Sequence, residues 1–137
     1  MKIFKSIGLL LLLVASGANA HLTENVSTPE TMIQPLLSQA LAEYPGKEVL
    51  MLTVEFAPGG SDPVHRHDAN VFVYVLEGSI VMGVAGKEPV TLTAGQTFYE
   101  NPNDVHTLGR NASDTESAKF IAFLIKDKDK APVIMVD

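Results

Sequence analysis

This chain contains four histidines, and three of them are spaced as the ligands of a metal site would be. His65 and His67 are separated by one residue, and His106 follows thirty-nine residues after His67. Residues two apart on an extended strand project from the same face, so the first two imidazoles would point in one direction. A divalent metal needs neutral nitrogen donors that converge from a rigid framework, with the third arriving from another strand. The spacing therefore predicts a metal site inside a small β-barrel.

The beginning of the chain has the features of a secretory signal peptide. Lys2 and Lys5 precede a short apolar run over residues 9–14, and Ala18-Asn19-Ala20 forms an Ala-x-Ala cleavage site. The apolar run is shorter than a bilayer span requires. We therefore expect residues 1–20 to be removed and the protein to be secreted to a bacterial periplasm, with no membrane attachment afterwards. A retained N-terminal anchor is the alternative.

Composition narrows the class of partner. The chain has 16 acidic and 10 basic residues, a net charge of −6, and the predicted signal carries two of the lysines. An acidic protein does not suit nucleic acid or an anionic membrane, because both reward a basic face. The absence of cysteine excludes disulfides and thiolate chemistry. We expect one domain, a small-molecule partner and no nucleic acid.

Hydrophobic patterning divides the remaining sequence into an N-terminal arm over residues 21–46 and a barrel domain over residues 47–137. In the arm, Thr28-Pro29-Glu30 suits the start of a helical turn, and residues 36–41 fit either a helical turn or an edge strand. After the arm, short strands alternate with Gly- and Pro-containing turns, which is typical of an all-β sandwich or barrel. The predicted strands cover residues 48–57, 71–76, 80–84, 90–93, 95–99, 106–109, 119–125 and 133–136.

The residues around the histidines resemble the two sequence motifs of the cupin superfamily. The first motif is matched by Gly59, His65, His67 and Glu77-Gly78, and the second by Gly95, Pro102-Asn103-Asp104, His106 and Asn111. The resemblance covers roughly residues 47–125. It implies a double-stranded β-helix, which is a jelly-roll barrel, preceded here by a short irregular or helical segment. It also implies one divalent metal bound by His65, His67 and His106. The resemblance does not distinguish among Fe, Mn, Ni, Zn and Cu.

The sequence departs from the cupin pattern at the fourth ligand. Cupins usually place a glutamate with six residues between it and the glycine that ends the first motif, and Val71 occupies that position here. Asn70 would replace the glutamate only if a bulge turned it inward. Glu100 is the other candidate, either as the missing carboxylate or as a catalytic acid or base, although a strand-end carboxylate in a turn is the plainer reading. A three-histidine metal site and a polar pocket without metal are the remaining alternatives.

Alternation around the histidines predicts which side chains face the barrel interior. Odd-numbered positions from His65 through Ala69, Val71, Val73 and Val75 share one face and would form an apolar wall behind the metal. Arg66 points away from that face and suits pairing with an acid. Tyr74 and Tyr99 would either line the mouth or pack across strands. Arg110 would either bind a ligand carboxylate or form a surface ion pair.

Two classes of function follow from this site. One is a metal-dependent enzyme, a dioxygenase or an isomerase or lyase, that acts on a small anionic carboxylate or enolate. The other is a non-catalytic periplasmic module that binds or senses a metal or small ligand. The resemblance also leads us to expect a homodimer.

Overall fold

The computed structural model describes residues 30–137, and this part of the chain is all β. Eleven strands follow one another with turns between them. They are β1 (Thr31–Ala40), β2 (Lys47–Phe56), β3 (Ser61–Asp62), β4 (His65–Arg66), β5 (Ala69–Glu77), β6 (Ser79–Val84), β7 (Val90–Thr93), β8 (Thr97–Glu100), β9 (Val105–Asn111), β10 (Ala118–Asp127) and β11 (Ile134–Met135). Residues 30–137 contain no helix with the length and apolarity needed to cross a membrane.

The strands form two antiparallel sheets. The first sheet has the order β1-β2-β10-β5-β8, and the second has the order β11-β4-β9-β6-β7, with β3 also paired to β9. Chain neighbours such as β2 and β3 lie in different sheets, so the chain repeatedly crosses from one sheet to the other. This arrangement confirms the predicted double-stranded β-helix.

The core lies between the two sheets and follows the predicted alternation. On β5, Ala69, Val71, Val73 and Val75 are each at most 3% exposed, whereas Phe72 is 45% exposed. Burying a side chain of this size contributes about 1.5–3 kcal/mol. The aromatic rings of Phe56 and Phe120 add a tilted contact with centroids 5.4 Å apart. The wall behind the histidines is therefore the barrel's own hydrophobic core.

The N-terminal arm differs from the helical alternative. Residues 31–40 form strand β1, which pairs with β2 at the edge of the first sheet. The register shifts between Pro35 and Leu37, where proline cannot donate a ladder hydrogen bond and is tolerated only on an edge strand or at a bulge. The edge-strand reading of residues 36–41 is therefore correct up to Ala40, and the helical reading is wrong there. The signal segment 1–20, Thr28 and Pro29 lie outside the described residues.

The other predicted strands agree with the observed ones to within two residues at each end. The short strands β3 and β4 fall where the sequence suggested a loop and the start of the histidine segment. Two-residue strands carry too little periodicity to be recognised from sequence, and they form here because β9 offers them hydrogen-bonding partners. Strand β4 contains His65, which is one of the three candidate metal ligands.

The tight turn between β5 and β6 requires glycine. Gly78 has a φ of 70°, and a Cβ atom added there would lie 2.6 Å from the backbone oxygen of Ser117. Close approach of the neighbouring backbone therefore excludes any side chain, in addition to the conformational cost of a positive φ. This turn sends the chain from the first sheet into the second.

Candidate metal centre

Strand pairing brings the three predicted histidines together. His65 on β4 and His106 on β9 are Cα partners across the antiparallel ladder, and His67 follows β4 directly. The ring centroids are 4.9 Å apart for His65 and His67, 5.1 Å for His65 and His106, and 6.0 Å for His67 and His106. All three residues are buried, at 8%, 8% and 3% exposure. Histidines that are distant in the sequence thus form a compact cluster of imidazoles.

Backbone carbonyls orient two of the rings. His65 Nδ1 lies 2.8 Å from the carbonyl oxygen of Pro63, and His67 Nδ1 lies 2.5 Å from that of Pro132. A carbonyl oxygen only accepts, so each Nδ1 carries the proton and donates it, which leaves Nε2 as the nitrogen with a free lone pair. Histidines that bind metals commonly have their other ring nitrogen held in this way. The two rings are therefore in the tautomer that a metal ligand needs.

Glu100 supplies a carboxylate to the same cluster. Its Oε2 atom lies 2.8 Å from His106 Nε2 and 3.3 Å from His67 Nε2, and the residue is only 3% exposed. The residue stands at the end of β8, where it pairs with Val71 of β5. Glu100 is therefore buried among the histidines rather than exposed at a strand end.

Asn70 does not join the cluster. It alternates with the inward-facing residues of β5, and its side-chain oxygen accepts a hydrogen bond of 2.6 Å from the Tyr99 hydroxyl. Tyr99 is 43% exposed, and its ring packs against Phe72 on the outer face of the sheet. No bulge turns β5 at this point, since residues Ala69 to Tyr74 pair with β10 in unbroken register. The Asn70 alternative is therefore wrong for this structure.

The donor atoms fit a metal by their chemistry. Glu100 Oε2 and His106 Nε2 are buried and are not in hydrogen-bond geometry with any group, although only 2.8 Å separates them. Neighbouring ligands of an octahedral ion with bonds near 2.1 Å lie about 3 Å apart, which is close to the spacing seen here. As placed, no group of three His, Cys, Asp or Glu side chains among residues 30–137 is arranged to hold an ion. Binding would require the Glu100 carboxylate and the rings to rotate toward a shared point.

Burial favours the neutral form of the His67 imidazole. Removal from water is the main cause that lowers the pKa of His67 below its ordinary value of 6.5. The Pro132 carbonyl and the Glu100 carboxylate act in the opposite direction, while His65 and His106 lower the pKa further. A neutral ring is the form that binds a metal.

A cavity of about 60 Å³ adjoins the histidines and Glu100. Most of its wall is apolar and includes Val71, Val73, Met82, Phe120 and Leu124, which are all core residues. At about 10–15 Å³ per water centre, the space admits a few waters or one small molecule. Water exclusion by such a wall strengthens electrostatic interactions at the centre.

Family comparison agrees with this geometry. The family model described as Cupin domain matches residues 52–124, which is more than half of the chain. The protein belongs to the cupin family. The family match and the two-sheet barrel together confirm the resemblance inferred from the two histidine motifs.

Several cupins are similar to this one. It is 31% identical to oxalate oxidase GF-2.8 of Triticum aestivum over 110 residues, which cover 72% of this chain and 48% of that protein. Among solved structures, oxalate oxidase in complex with the substrate analogue glycolate has a TM-score of 0.61 at 23% identity, covering 81% of this chain and 57% of the other. An uncharacterized double-stranded β-helix protein of Klebsiella pneumoniae subsp. pneumoniae MGH 78578 has a TM-score of 0.63 at 17% identity, covering 81% and 88%. This cupin spans about half the length of the curated relatives that it matches.

Asp62 is a residue of this cupin's cavity that the sequence reasoning missed. It lies on β3, pairs with Gly109 of β9, and lines the cavity together with the three histidines. Burial is the main cause that raises the pKa of Asp62 above its ordinary value of 3.8, and the His65 ring is the largest influence in the opposite direction. In the sequence, Asp62 is marked only by its position three residues before His65. The pairing of β3 and β4 with the same strand, β9, shows that Asp62 and His65 both face the cavity.

The remaining candidates of this cupin lie outside the cavity. Arg66 pairs with Asp68 and donates a 2.9 Å hydrogen bond to the Asn103 side chain, as predicted for an outward-facing arginine. Tyr74 and Tyr99 are 46% and 43% exposed on the outer face, so neither lines the mouth. Arg110 is exposed and donates to the backbone oxygen of Asn111.

Side-chain hydrogen bonds hold the turn that precedes His106. Asp104 accepts hydrogen bonds from the backbone and side-chain nitrogens of Asn101, which lower the pKa of Asp104. Asn103 adopts the positive φ of 67° within this turn. Asn111 is buried and donates to the backbone oxygens of Phe56, Ala57 and Glu116, so its role is to hold loops together.

Proposed function

We propose that this cupin binds one divalent metal through His65, His67 and His106, with Glu100 as the carboxylate ligand. The observation that carries the proposal is the placement of Glu100 Oε2 against His67 Nε2 and His106 Nε2. A buried carboxylate beside two imidazoles costs free energy unless a cation or a proton compensates it. We assign Glu100 to the metal rather than to proton transfer because its oxygen faces the same nitrogens that would bind the ion.

The proposed reaction is metal-dependent chemistry on a small carboxylate or enolate. When bound, the metal supplies a Lewis acid that stabilises negative charge on a substrate oxygen. The chain itself orients the His65 and His67 rings through Pro63 and Pro132 and excludes water with its apolar wall. Glu100 adds one negative charge, which lowers the net charge of the centre and leaves it suited to a singly charged ligand.

The relatives support a small anionic substrate. One relative is an oxalate oxidase, and another oxalate oxidase was solved in complex with the substrate analogue glycolate. Oxalate and glycolate each contain two carbons, and molecules of this size suit a cavity of about 60 Å³. We therefore propose a substrate of two to four carbons with at least one carboxylate.

A non-catalytic binding or sensing module is the second candidate. The small number of titratable side chains in the cavity favours this second candidate. Apart from Asp62, Glu100 and the histidines, the side chains that line it carry no titratable group. Turnover of substrate distinguishes the enzyme from the module.

The metal assignment is tested by elemental analysis of purified protein. We expect about one divalent metal per chain, and we expect His65→Ala, His67→Ala and His106→Ala each to lower occupancy at least tenfold at limiting metal. The matched control is His21→Ala, which removes the fourth histidine of the chain. Full occupancy in all three site variants would contradict the proposal.

The reaction is tested with the metal-loaded protein and a panel of small acids. Oxygen uptake and substrate loss are measured for oxalate, glycolate, 2-hydroxy acids and β-diketones. Turnover that disappears in Glu100→Gln supports the enzyme. Binding of a panel member without turnover of any of them supports the module.

Export is part of the proposal and rests on residues 1–20. The positively charged start, the short apolar run and the Ala-x-Ala ending support it. Mass spectrometry of the protein expressed in a bacterial host would give a chain that starts at His21, in the periplasmic fraction. An intact Met1 there or a cytoplasmic location would contradict export.

A further inference from the structure

A second carboxylate, that of Asp62, faces the cavity and forms no ion pair within residues 30–137. Asp62 lines the cavity, and the Thr31 hydroxyl is the group among residues 30–137 that is placed to donate to its side chain. That hydroxyl acts to lower the pKa of Asp62. Asp62 is half-buried, and a carboxylate that is partly removed from water is stabilised by further hydrogen bonds. Asp62 is therefore ready to accept a hydrogen bond from a bound molecule.

Asp62 is set back from the proposed metal ligands. No Lys, Arg or His nitrogen of residues 30–137 lies within 4.0 Å of its carboxylate oxygens, in contrast to Glu100. It occupies the same β9 ladder as His65, with Gly109 opposite Asp62 and His106 opposite His65. Three residues along a strand span about 10 Å between Cα atoms. Asp62 and the three imidazoles line the same cavity, so a ligand held at the imidazoles would extend toward Asp62.

Gly109 leaves this space open. A Cβ atom added at Gly109 would meet the Cβ and Oδ2 atoms of Asp62 at 3.8 Å, which is ordinary contact. The Asp62 side chain therefore lies over the glycine and extends along the cavity wall. A side chain larger than glycine's would narrow the space in front of the carboxylate.

The negative charges of Glu100 and Asp62 restrict the chemical group that a ligand can place beside Asp62. The carboxylates of Glu100 and Asp62 would balance the charge of a divalent ion, so a monoanionic ligand would leave one net negative charge in the cavity and a dianionic ligand two. Like charges in a poorly hydrated cavity repel strongly, and a second ligand carboxylate would point at Asp62. A hydroxyl at that end would instead donate a hydrogen bond to it.

We infer that Asp62 is a specificity-determining residue that selects a small monocarboxylate with a hydrogen-bond donor at its other end, such as a 2-hydroxy acid, over a dicarboxylate of equal length. The inference rests on the proposed metal site, since the metal holds the first carboxylate. The inferred preference disfavours oxalate, the substrate of the related oxalate oxidase, because oxalate is a dicarboxylate.

The test compares two ligands of equal carbon number. Calorimetric titration of the metal-containing protein with glycolate and with oxalate gives the ratio of the two affinities, and metal content is measured after each titration. We expect Asp62→Asn to shift this ratio toward oxalate at least tenfold, because it removes the charge while keeping the shape. Asp62→Glu is expected to keep the preference. Asp129→Asn, which makes the same change on an exposed turn, is expected to leave the ratio unchanged.

The outcomes distinguish the inference from the proposed function. An unchanged ratio in Asp62→Asn, or a shift toward glycolate, overturns the inference while the metal site stands. A wild-type protein that holds no metal and binds neither anion overturns both. Thermal melting of each variant checks folding, and Asp62→Ser provides a second neutral substitution if the asparagine variant does not fold.

Discussion

Val71 and Glu100 are Cα partners on adjacent antiparallel strands. Val71 occupies the position at which cupins usually carry a glutamate, and Glu100 lies directly across the ladder from it. Side chains of paired residues project from the same face with Cβ atoms about 4.5–5.5 Å apart. The carboxylate missing from β5 is therefore present on β8 at the same level of the barrel.

This relationship predicts that the carboxylate can be exchanged between the two strands. Glu100→Val is expected to weaken metal binding at least tenfold, and adding Val71→Glu to that variant is expected to restore most of the affinity, because both positions face the same centre. Metal affinity is measured by competition with a chelator of known strength. Tyr99→Phe is the control, since it removes a hydrogen bond on the outer face only. Failure of the double variant to regain affinity would show that the two positions are not equivalent.

The metal-free protein is expected to lose stability as the pH falls below about 7, where an ordinary histidine with a pKa near 6.5 begins to bind a proton. Burial lowers the pKa of His67, so in this range the unfolded chain, with a pKa near 6.5, binds a proton that the folded chain does not. The free energy of unfolding is therefore highest above pH 6.5 and decreases as the pH falls toward the pKa of the folded state. Urea denaturation at a series of pH values measures this slope.

His67→Gln isolates the contribution of His67 to that slope. The raised pKa of Asp62 has the opposite effect, because the folded chain then binds a proton more tightly than the unfolded chain. The difference between wild type and His67→Gln removes this contribution. We expect the variant to have the shallower slope, and equal slopes would contradict the prediction. His21→Gln serves as the control for loss of a histidine.

Two glycines at positive φ are expected to differ in their tolerance of alanine. Gly78 has a φ of 70° and Gly86 a φ of 78°, but a Cβ atom would lie 2.6 Å from Ser117 O at Gly78 and meets nothing within 4 Å at Gly86. Gly86→Ala should cost about 1–2 kcal/mol for the backbone conformation alone. Gly78→Ala should cost about 1–3 kcal/mol more because the backbone of the next segment must shift. Chemical denaturation of both variants measures the difference, and equal losses would contradict the steric argument.

A homodimer remains a prediction from the cupin resemblance, and β1 is the surface where we expect contact. This edge strand exposes Met32, Ile33, Leu36 and Leu37 by 45–57%. Exposed apolar edge strands tend to associate unless they are covered. Light scattering should give twice the monomer mass for the wild type, and Leu36→Glu with Leu37→Glu should give the monomer. Val90→Glu on β7 is the control, and a monomeric wild type would contradict the prediction.

Sequence alone predicted most of the barrel because alternation on β5 is strong. Small apolar residues at every second position can bury only one face, and that face is the one observed in the core. The same alternation correctly placed Asn70 outside the site unless a bulge intervened. The arm was ambiguous because Leu36 and Leu37 suit either a helix or an edge strand, and only hydrogen bonding to β2 decides between them.

His65, His67 and His106 were recognisable because their spacing and flanking turns are local properties of the chain. The positions of Glu100 and Asp62 depend on which strands pair and in what register, and these are properties of the assembled sheets. Glu100 reaches the histidines because β8 lies beside β5, and Asp62 faces the cavity because β3 continues the ladder of β4 along β9. The sequence by itself thus determined the fold class and the three imidazoles. Only the tertiary structure decided which carboxylates join them, because contacts between distant strands are set by packing and not by local pattern.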